Sequence, residues 1–164
     1  MNLNKWISVI LVLVWIPLAS ALEDTGKTRI GKVEVVVYYA TNGDLKASGL
    51  KTSVVPAKIV ERLAGEPQLR FKHYGMLGRD AQPLLRSYES WAEPLKPSAE
   101  VMVRFEAQGK PTRKTAVLDL ELWLARKKIL KTDVKLEGSR PLYILGPEYR
   151  GGRLIVAVGL ASEA

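Results

Sequence analysis

The sequence predicts a mainly β fold, an antiparallel β-sandwich or barrel-like domain of about eight strands with one short helix, preceded by a signal peptide. From residue 68 onward apolar and polar residues alternate with a period of two, as expected for half-buried strands. Turn-forming residues interrupt this alternation at intervals of roughly 8–15 residues. Strands do not alternate with helices, which argues against a parallel α/β sheet.

Residues 1–21 have the three parts of a secretory signal peptide. Lys5 supplies the positive charge, residues 6–19 form the apolar run, and Ala19 and Ala21 are the small residues before cleavage. A membrane-spanning helix needs about 20 apolar residues, and the apolar run of residues 6–19 is shorter than that. We therefore favour a cleaved signal peptide and a secreted or periplasmic protein. The alternative is a chain anchored to the membrane by the uncleaved N-terminal segment.

The rest of the chain divides into a flexible N-terminal arm, residues 22–30, and a single β-rich domain, residues 31–164. Residues 32–40 are β-branched and aromatic, and both faces are apolar from Val35 on, which predicts a central strand. Residues 56–64 have apolar side chains at helical spacing. Pro56 suits the first turn of this short helix, and Gly65 suits the position just beyond its end.

The alternating pattern predicts the remaining strands. In residues 69–77 it places Leu69, Phe71 and His73 on one face, and residues 78–80 are expected to form a turn. Further strands are expected at 84–91, 101–106, 117–124, 129–136, 142–145 and 154–160. The cleanest of them places Leu118, Leu120 and Leu122 on one face. A charged corner at 126–128 predicts a hairpin, and residues 146–152 predict a turn-rich connection.

The amino-acid composition excludes several classes of enzyme. The chain has no cysteine and a single histidine, His73, so it has no thiol nucleophile, thiolate metal site or histidine-cluster zinc site. We therefore expect no cofactor and no metal. An exported chain without disulfides is more typical of the bacterial envelope than of eukaryotic secretion. The 25 Lys and Arg residues exceed the 17 Asp and Glu residues, so the protein is basic.

Three residues could support a hydrolase that acts on an envelope polymer. Asp119 and Glu121 lie two apart on one strand face, roughly 7 Å from each other, a separation comparable to that of glycosidase carboxylates. His73 could act as a general base, although a single histidine among apolar residues is more often part of a core. Spacing alone is weak evidence for a catalytic site, so we predict that the protein is not an enzyme and keep the hydrolase as the alternative.

The candidate binding residues are cationic and aromatic. The first group is the basic corner Arg126, Lys127, Lys128 and Lys131. The second is the loop carrying Tyr149, Arg150 and Arg153, whose arginine forks suit carboxylate or phosphate. Trp123 points away from the leucine face and is either core or an exposed contact. The plainer interpretations are lysines that protect sheet edges and a loop that only connects two strands.

We therefore expect an exported, non-catalytic bacterial envelope module that binds a protein or an anionic surface partner. The anionic partner would be a lipid head group or an acidic glycan, because a basic surface attracts such groups. Export makes nucleic acid the least favoured partner. The sequence predicts neither the oligomeric state nor the identity of the partner.

Overall fold

The computed structural model describes residues 24–112 and 114–161. The predicted signal peptide lies outside the described residues. Within the described part, the chain forms eight strands and one α-helix, α1 (Ala57–Gly65). The strands are β1 (Arg29–Thr41), β2 (His73–Leu85), β3 (Ser90–Ala92), β4 (Val101–Gln108), β5 (Thr115–Leu124), β6 (Lys127–Glu137), β7 (Leu142–Tyr149) and β8 (Gly152–Leu160). The mainly β prediction is confirmed.

The strands form two antiparallel sheets of four strands each. Sheet 1 has the order β2-β1-β8-β7 and sheet 2 has the order β3-β4-β5-β6. β1 pairs with β2 on one side and with β8 on the other, which confirms the predicted central strand. Both sheets are open, so the described residues do not form the closed barrel that was one of the two predicted architectures.

The two sheets share one apolar core. β1 contributes Val33, Val35 and Val37, and β8 contributes Val156 and Val158. Sheet 2 contributes side chains that are almost completely buried, among them Val103, Phe105, Leu118, Leu120 and Leu122. The predicted leucine face of β5 is therefore confirmed. Burying each of these large side chains stabilises the fold by about 1.5–3 kcal/mol. The apolar core between the sheets is therefore the main interaction that holds them together.

Helix α1 covers the opposite face of sheet 1. Leu63 is fully buried there, and Ile59 packs against a second apolar cluster that includes Tyr38 and Ile155. The predicted helix is confirmed with small shifts at both ends. Pro56 is the N-cap instead of a first-turn residue, and Gly65 is the last helical residue.

The sequence prediction for residues 69–91 is wrong in detail. Residues Pro67–Leu69 form a 3-10 turn, and the strand begins only at His73. The Tyr74 hydroxyl causes this late start, since it accepts from Phe71 N and donates to Leu69 O, both at 2.8 Å. The alternation is thereby reset, so that Tyr74 is buried, and His73 is exposed instead of sharing an apolar face with Leu69.

Gly78 does not mark a turn, because strand β2 continues through residues 78–80 without interruption. Its partner on β1 is Val37, and the pairing register shifts between Val37 and Tyr38, which is a β-bulge. A Cβ on Gly78 would lie 2.1 Å from the carbonyl oxygen of Pro94. The glycine therefore permits a close approach of backbone to backbone. The predicted strand at 84–91 is divided between the end of β2 and the short β3.

The segment expected to be a flexible arm has defined structure from Asp24 onward. Thr25–Lys27 form a 3-10 turn and β1 begins at Arg29. The Tyr88 hydroxyl donates to Asp24 Oδ2 at 2.6 Å, which connects this segment to the loop between β2 and β3. None of the helices in the described part has the length and apolar character needed to cross a bilayer.

Candidate functional site

Asp119 and Glu121 lie on the outer face of sheet 2, opposite the leucine face of the same strand. Arg104 on β4 is the cross-strand partner of Glu121, and its guanidinium contacts acids on β4 and β5 and Glu89, which directly precedes β3. Its Nη1 lies 3.3 Å from Asp119 Oδ2, its Nη2 lies 2.8 Å from Glu106 Oε2, and its Nε donates to Glu89. The two candidate carboxylates therefore belong to an ion-pair network.

Two lysines of β6 complete this network. Lys128 Nζ lies 3.2 Å from Glu121 Oε1, and Lys131 Nζ lies 3.2 Å from Asp119 Oδ2. Burial on its own would raise the pKa of both carboxyl groups. The cations outweigh burial: Lys131 and Arg104 lower the pKa of Asp119, and Lys128, with the Trp123 indole, lowers that of Glu121. Both groups are ionised at neutral pH and are poor proton donors.

Trp123 is half-buried on the outer face of sheet 2. Its ring centroid lies 5.7 Å from that of Trp91 on β3, with the planes tilted by 56°. Its indole N–H donates to Glu121 Oε2 at 2.9 Å, and Lys128 Nζ lies 5.6 Å from its ring centroid. Trp123 is therefore neither a core residue nor fully exposed: it contacts Trp91, Glu121 and Lys128 and keeps part of its surface open to solvent.

His73 is remote in topology from the two carboxylates. It is the first residue of β2 in sheet 1, where it pairs with Thr41, whereas Asp119 and Glu121 belong to sheet 2. The structure does not bring the three hydrolase candidates into one site. Among the described residues, no group of three or more His, Asp or Glu side chains is arranged to hold a metal ion.

The basic corner divides into two halves. Lys128 and Lys131 point into the ion-pair network, so the carboxylates neutralise their charges. Arg126 and Lys127 lie at the β5–β6 turn, are exposed, and form no ion pair with a described residue. The turn itself consists of Ala125 and Arg126, with φ values of 45° and 64°, the backbone of a tight two-residue hairpin.

The second predicted group lies at the β7–β8 turn. β7 extends to Tyr149 with a register irregularity between Leu145 and Glu148, so only Arg150 and Gly151 form the turn. The Tyr39 hydroxyl donates to Arg150 O at 2.9 Å and holds this turn in place. Arg153 donates from Nε and Nη2 to Gly146 O, at 3.2 and 3.0 Å.

Glu100 connects the two turns, a role that sequence analysis did not anticipate. Its backbone oxygen accepts from Ala125 N at 2.9 Å, and its Oε2 accepts from the Tyr149 hydroxyl at 3.1 Å. Burial and this acidic partner raise the pKa of Tyr149. Both turns border one apolar cavity of about 270 Å³, to which Ala125 and Tyr149 contribute. The two turns therefore lie at the same end of the molecule.

We call this region the basic end and define it by Arg126, Lys127, Arg150 and Arg153. None of the four forms an ion pair within the described residues. A groove of about 580 Å³ beside Arg150 and Arg153 is also lined by Thr41, Phe71 and the acid Glu148, which is the cross-strand partner of Arg153. The guanidinium groups of Arg150 and Arg153 border this polar groove without a carboxylate partner, although Arg153 donates to Gly146 O, and cations so placed suit an anionic group.

Sequence analysis also missed Arg104 and Trp91. Arg104 alternates with Val103 and Phe105, which places it on the outer face, but its partners depend on strand pairing that the sequence does not reveal.

No protein-family model, no curated protein and no solved structure matches this chain.

Proposed function

We propose that the protein is an exported, non-catalytic β-sandwich module that binds an anionic surface partner through the basic end. The observation that carries this proposal is that Glu100 contacts both Ala125, in the first cationic turn, and Tyr149, which directly precedes the second. Two cationic turns that belong to different sheets are thereby held at one end of the molecule. Such a surface raises the local concentration of lipid head groups or acidic glycans by electrostatic attraction.

The alternative hydrolase has weaker support. Asp119 and Glu121 hold their charges in ion pairs with Arg104, Lys128 and Lys131, and His73 belongs to the other sheet. An acid and a base that act together need different pKa values and a shared cleft. We therefore favour binding over catalysis.

A charge-reversal experiment tests the proposal. Arg126→Glu with Lys127→Glu should reduce co-sedimentation with vesicles of anionic phosphatidylglycerol at least tenfold, and added salt should weaken binding of the unmodified protein. Lys110→Glu with Lys114→Glu is the matched control, because these lysines lie in the β4–β5 loop at the opposite end and the net charge changes equally. Equal losses in both variants, or binding that does not respond to salt, would contradict the proposal.

Export has its own test. If the signal peptide is removed after Ala21, the mature chain begins at Leu22. Intact mass measurement of the protein recovered from a secreting bacterial host should then show the loss of residues 1–21. A recovered chain that retains these residues would support the membrane-anchored alternative.

A second candidate function is strand addition by a protein partner at the free edge of β7. The other sheet edges have protective features: β6 carries several lysines, β3 has three residues, and β2 pairs with Ser53 at Met76. Residues 142–145 of β7 are half-buried and uncharged. Because Ile144 packs against the shared core, the Ile144→Lys variant is first checked for a cooperative unfolding transition. The folded variant should lose capture of a strand-adding partner and keep vesicle binding, whereas Arg126→Glu with Lys127→Glu should lose vesicle binding and keep capture.

A further inference from the structure

An apolar cavity opens between the two sheets at the basic end. We call it the end cavity, and its volume is about 270 Å³. Sheet 2 contributes Val101 and Leu124, which are cross-strand partners, and sheet 1 contributes Leu154 of β8. Val101 and Leu154 belong to the shared core and are almost completely buried. The end cavity therefore reaches from the surface to the edge of that core.

The residues at the two hairpins leave the end cavity open. On the side of sheet 2 the chain turns directly after Leu124, and the next residue, Ala125, has a side chain of one methyl group. On the side of sheet 1 the lining residue is Pro147, which is exposed. Because neither residue is large enough to close the space, Leu95 and Leu124 stay only half-buried.

The end cavity offers apolar surface to a ligand. Among the described residues that line it, Glu100 and Tyr149 are the two with polar side chains. These two groups satisfy each other, since the Tyr149 hydroxyl donates to Glu100 Oε2 at 3.1 Å. A hydrocarbon chain placed here would be removed from water without separating a polar group from its partner, which favours its binding.

Tyr149 also lines the polar groove that Arg150 and Arg153 border. The Arg150 guanidinium carbon lies 5.6 Å from the centroid of the Tyr149 ring, so a cation lies where the end cavity and the groove meet. Two acids lie nearby, Glu148 in the groove opposite Arg153 and Glu100 in the end cavity. An apolar compartment therefore adjoins a charged one at a single aromatic ring.

Two further cations lie on the other side of the end cavity. Arg126 and Lys127 directly follow Ala125 in the chain, and both are exposed. With Arg150 and Arg153 they outnumber the two acids, so the charge around the end cavity is positive on balance. This surface is complementary to a ligand that has a hydrocarbon chain and an anionic head group.

We propose that the end cavity binds the hydrocarbon chain of a single-chain anionic amphiphile, whose carboxylate or phosphate head group lies beside Arg150. The end cavity is smaller than the usual 300–1,000 Å³ of sites for drug-sized ligands, so it accommodates part of one chain. A lipid with two chains would leave the second chain outside. The attraction of the head group rests on the proposed function, and the end cavity adds that the partner is an amphiphile and not an acidic glycan.

The test is a titration of the ¹⁵N-labelled protein, followed by amide chemical shifts, with ligands kept below the concentrations at which they form micelles. Sodium octanoate and monooctyl phosphate should move the signals of Val101, Leu124 and Leu154 to saturation, with dissociation constants on the order of 1 mM. The tighter of the two identifies the preferred head group. Sodium hexanoate should bind about tenfold more weakly than octanoate, because two fewer methylene groups are buried. Octylammonium chloride, with the same chain length and the opposite charge, should bind about fivefold more weakly than octanoate.

Two variants separate the chain from the head group. Leu124→Trp should fill the end cavity and abolish octanoate binding, whereas Val117→Trp, on the exposed outer face of the same strand, should leave it unchanged. Arg150→Gln should weaken octanoate binding about fivefold and should not weaken octylammonium binding. Its control is Arg79→Gln, an exposed change on β2 that alters the net charge equally.

Three results would overturn the inference. The first is the absence of saturable shifts at the three named amides with both anionic ligands. The second is equal affinity for hexanoate and octanoate, which would mean that the chain stays outside the end cavity. The third is equal affinity for octanoate and octylammonium, which would mean that the cations do not select the head group. If Leu124→Trp fails to fold, these ligand comparisons still decide the question.

The same measurements distinguish this inference from the proposed function. If the basic end attracts anions by charge alone, Arg126→Glu with Lys127→Glu still loses vesicle binding, but octanoate binds no more tightly than hexanoate. That outcome would leave the proposed function intact and remove the amphiphile. If octanoate enters the end cavity and the charge-reversed variant keeps full vesicle binding, the proposed function fails and the cavity site stands.

Discussion

Arg104 Nη1 lies 3.3 Å from Asp119 Oδ2, across the boundary between β4 and β5 on the outer face of sheet 2. The same guanidinium contacts Glu89 near β3 and Glu106 on β4. One largely buried side chain thus connects β4, β5 and the residue that precedes β3 through a planar group that donates in several directions. The contact also explains why Asp119 stays ionised although it is mostly shielded from water.

Arg104→Ala should lower the free energy of unfolding by about 2 kcal/mol, because Asp119 and Glu106 lose a charged partner in a partly buried site. Urea denaturation gives this quantity directly. Arg79→Ala is the control: its ion pair with Glu34 is exposed and should contribute less than about 0.5 kcal/mol. If the two variants lose the same stability, the network does not stabilise sheet 2.

Stability should fall in acid. The folded protein lowers the pKa of Asp119, Glu121 and Glu89, so these groups stabilise the fold above their ordinary pKa values. That contribution is lost as pH falls from the ordinary pKa range of carboxyl groups through the lowered values. Thermal unfolding midpoints across this range will show the decline.

The Asp119→Asn variant separates this effect from general acid sensitivity. It removes one of the titrating groups, so its midpoint should depend less steeply on pH than that of the unmodified protein. Glu61→Gln, an exposed change on α1, should leave the steepness unaltered. A decline of equal steepness in all three proteins would show that Asp119 does not take part.

Leu118→Ala should destabilise the protein by about 3 kcal/mol, since this side chain is fully buried in the core that both sheets share. Val117, the adjacent residue, lies on the opposite face of β5 and has 39 % of its own surface exposed. Val117→Ala should therefore lower the free energy of unfolding by less than about 1 kcal/mol. The comparison by urea denaturation tests which face of β5 is inside. A reversed order of the two values would contradict the fold.

Ala125→Gly should stabilise the β5–β6 hairpin by about 0.5–1 kcal/mol. Ala125 has a φ of 45°, a left-handed conformation that strains a side-chain Cβ and that glycine adopts freely. The gain should appear as a higher urea midpoint with vesicle binding unchanged. A loss of stability would mean that the turn does not have this backbone geometry.

The leucine face of β5 was predictable because alternating apolar and polar residues place every second side chain on the buried face of a strand. The central position of β1 was predictable because a continuous run of β-branched and aromatic residues indicates a strand that is buried on both faces. Gly78 was misinterpreted because a glycine in a bulge looks the same in sequence as a glycine in a turn. The late start of β2 depends on the Tyr74 hydroxyl, whose backbone partners no periodicity reveals.

The candidate site was predictable in its residue types and not in its grouping. Lys128 and Arg126 are only two residues apart, yet Lys128 points into the ion-pair network and Arg126 lies at the turn. The turns that carry Arg126 and Arg150 lie at one end because Glu100 contacts the residue before each of them, Ala125 and Tyr149. Predicting such contacts between distant residues requires knowledge of the strand order in both sheets.

Amide hydrogen exchange in the presence of phosphatidylglycerol vesicles tests most directly whether the basic end is the binding surface. The account predicts slower exchange at Arg126, Lys127 and residues 150–153, and unchanged exchange in α1 and at residues 109–112. Slower exchange confined to α1 or to the outer face of sheet 2, with none at the two turns, would contradict it.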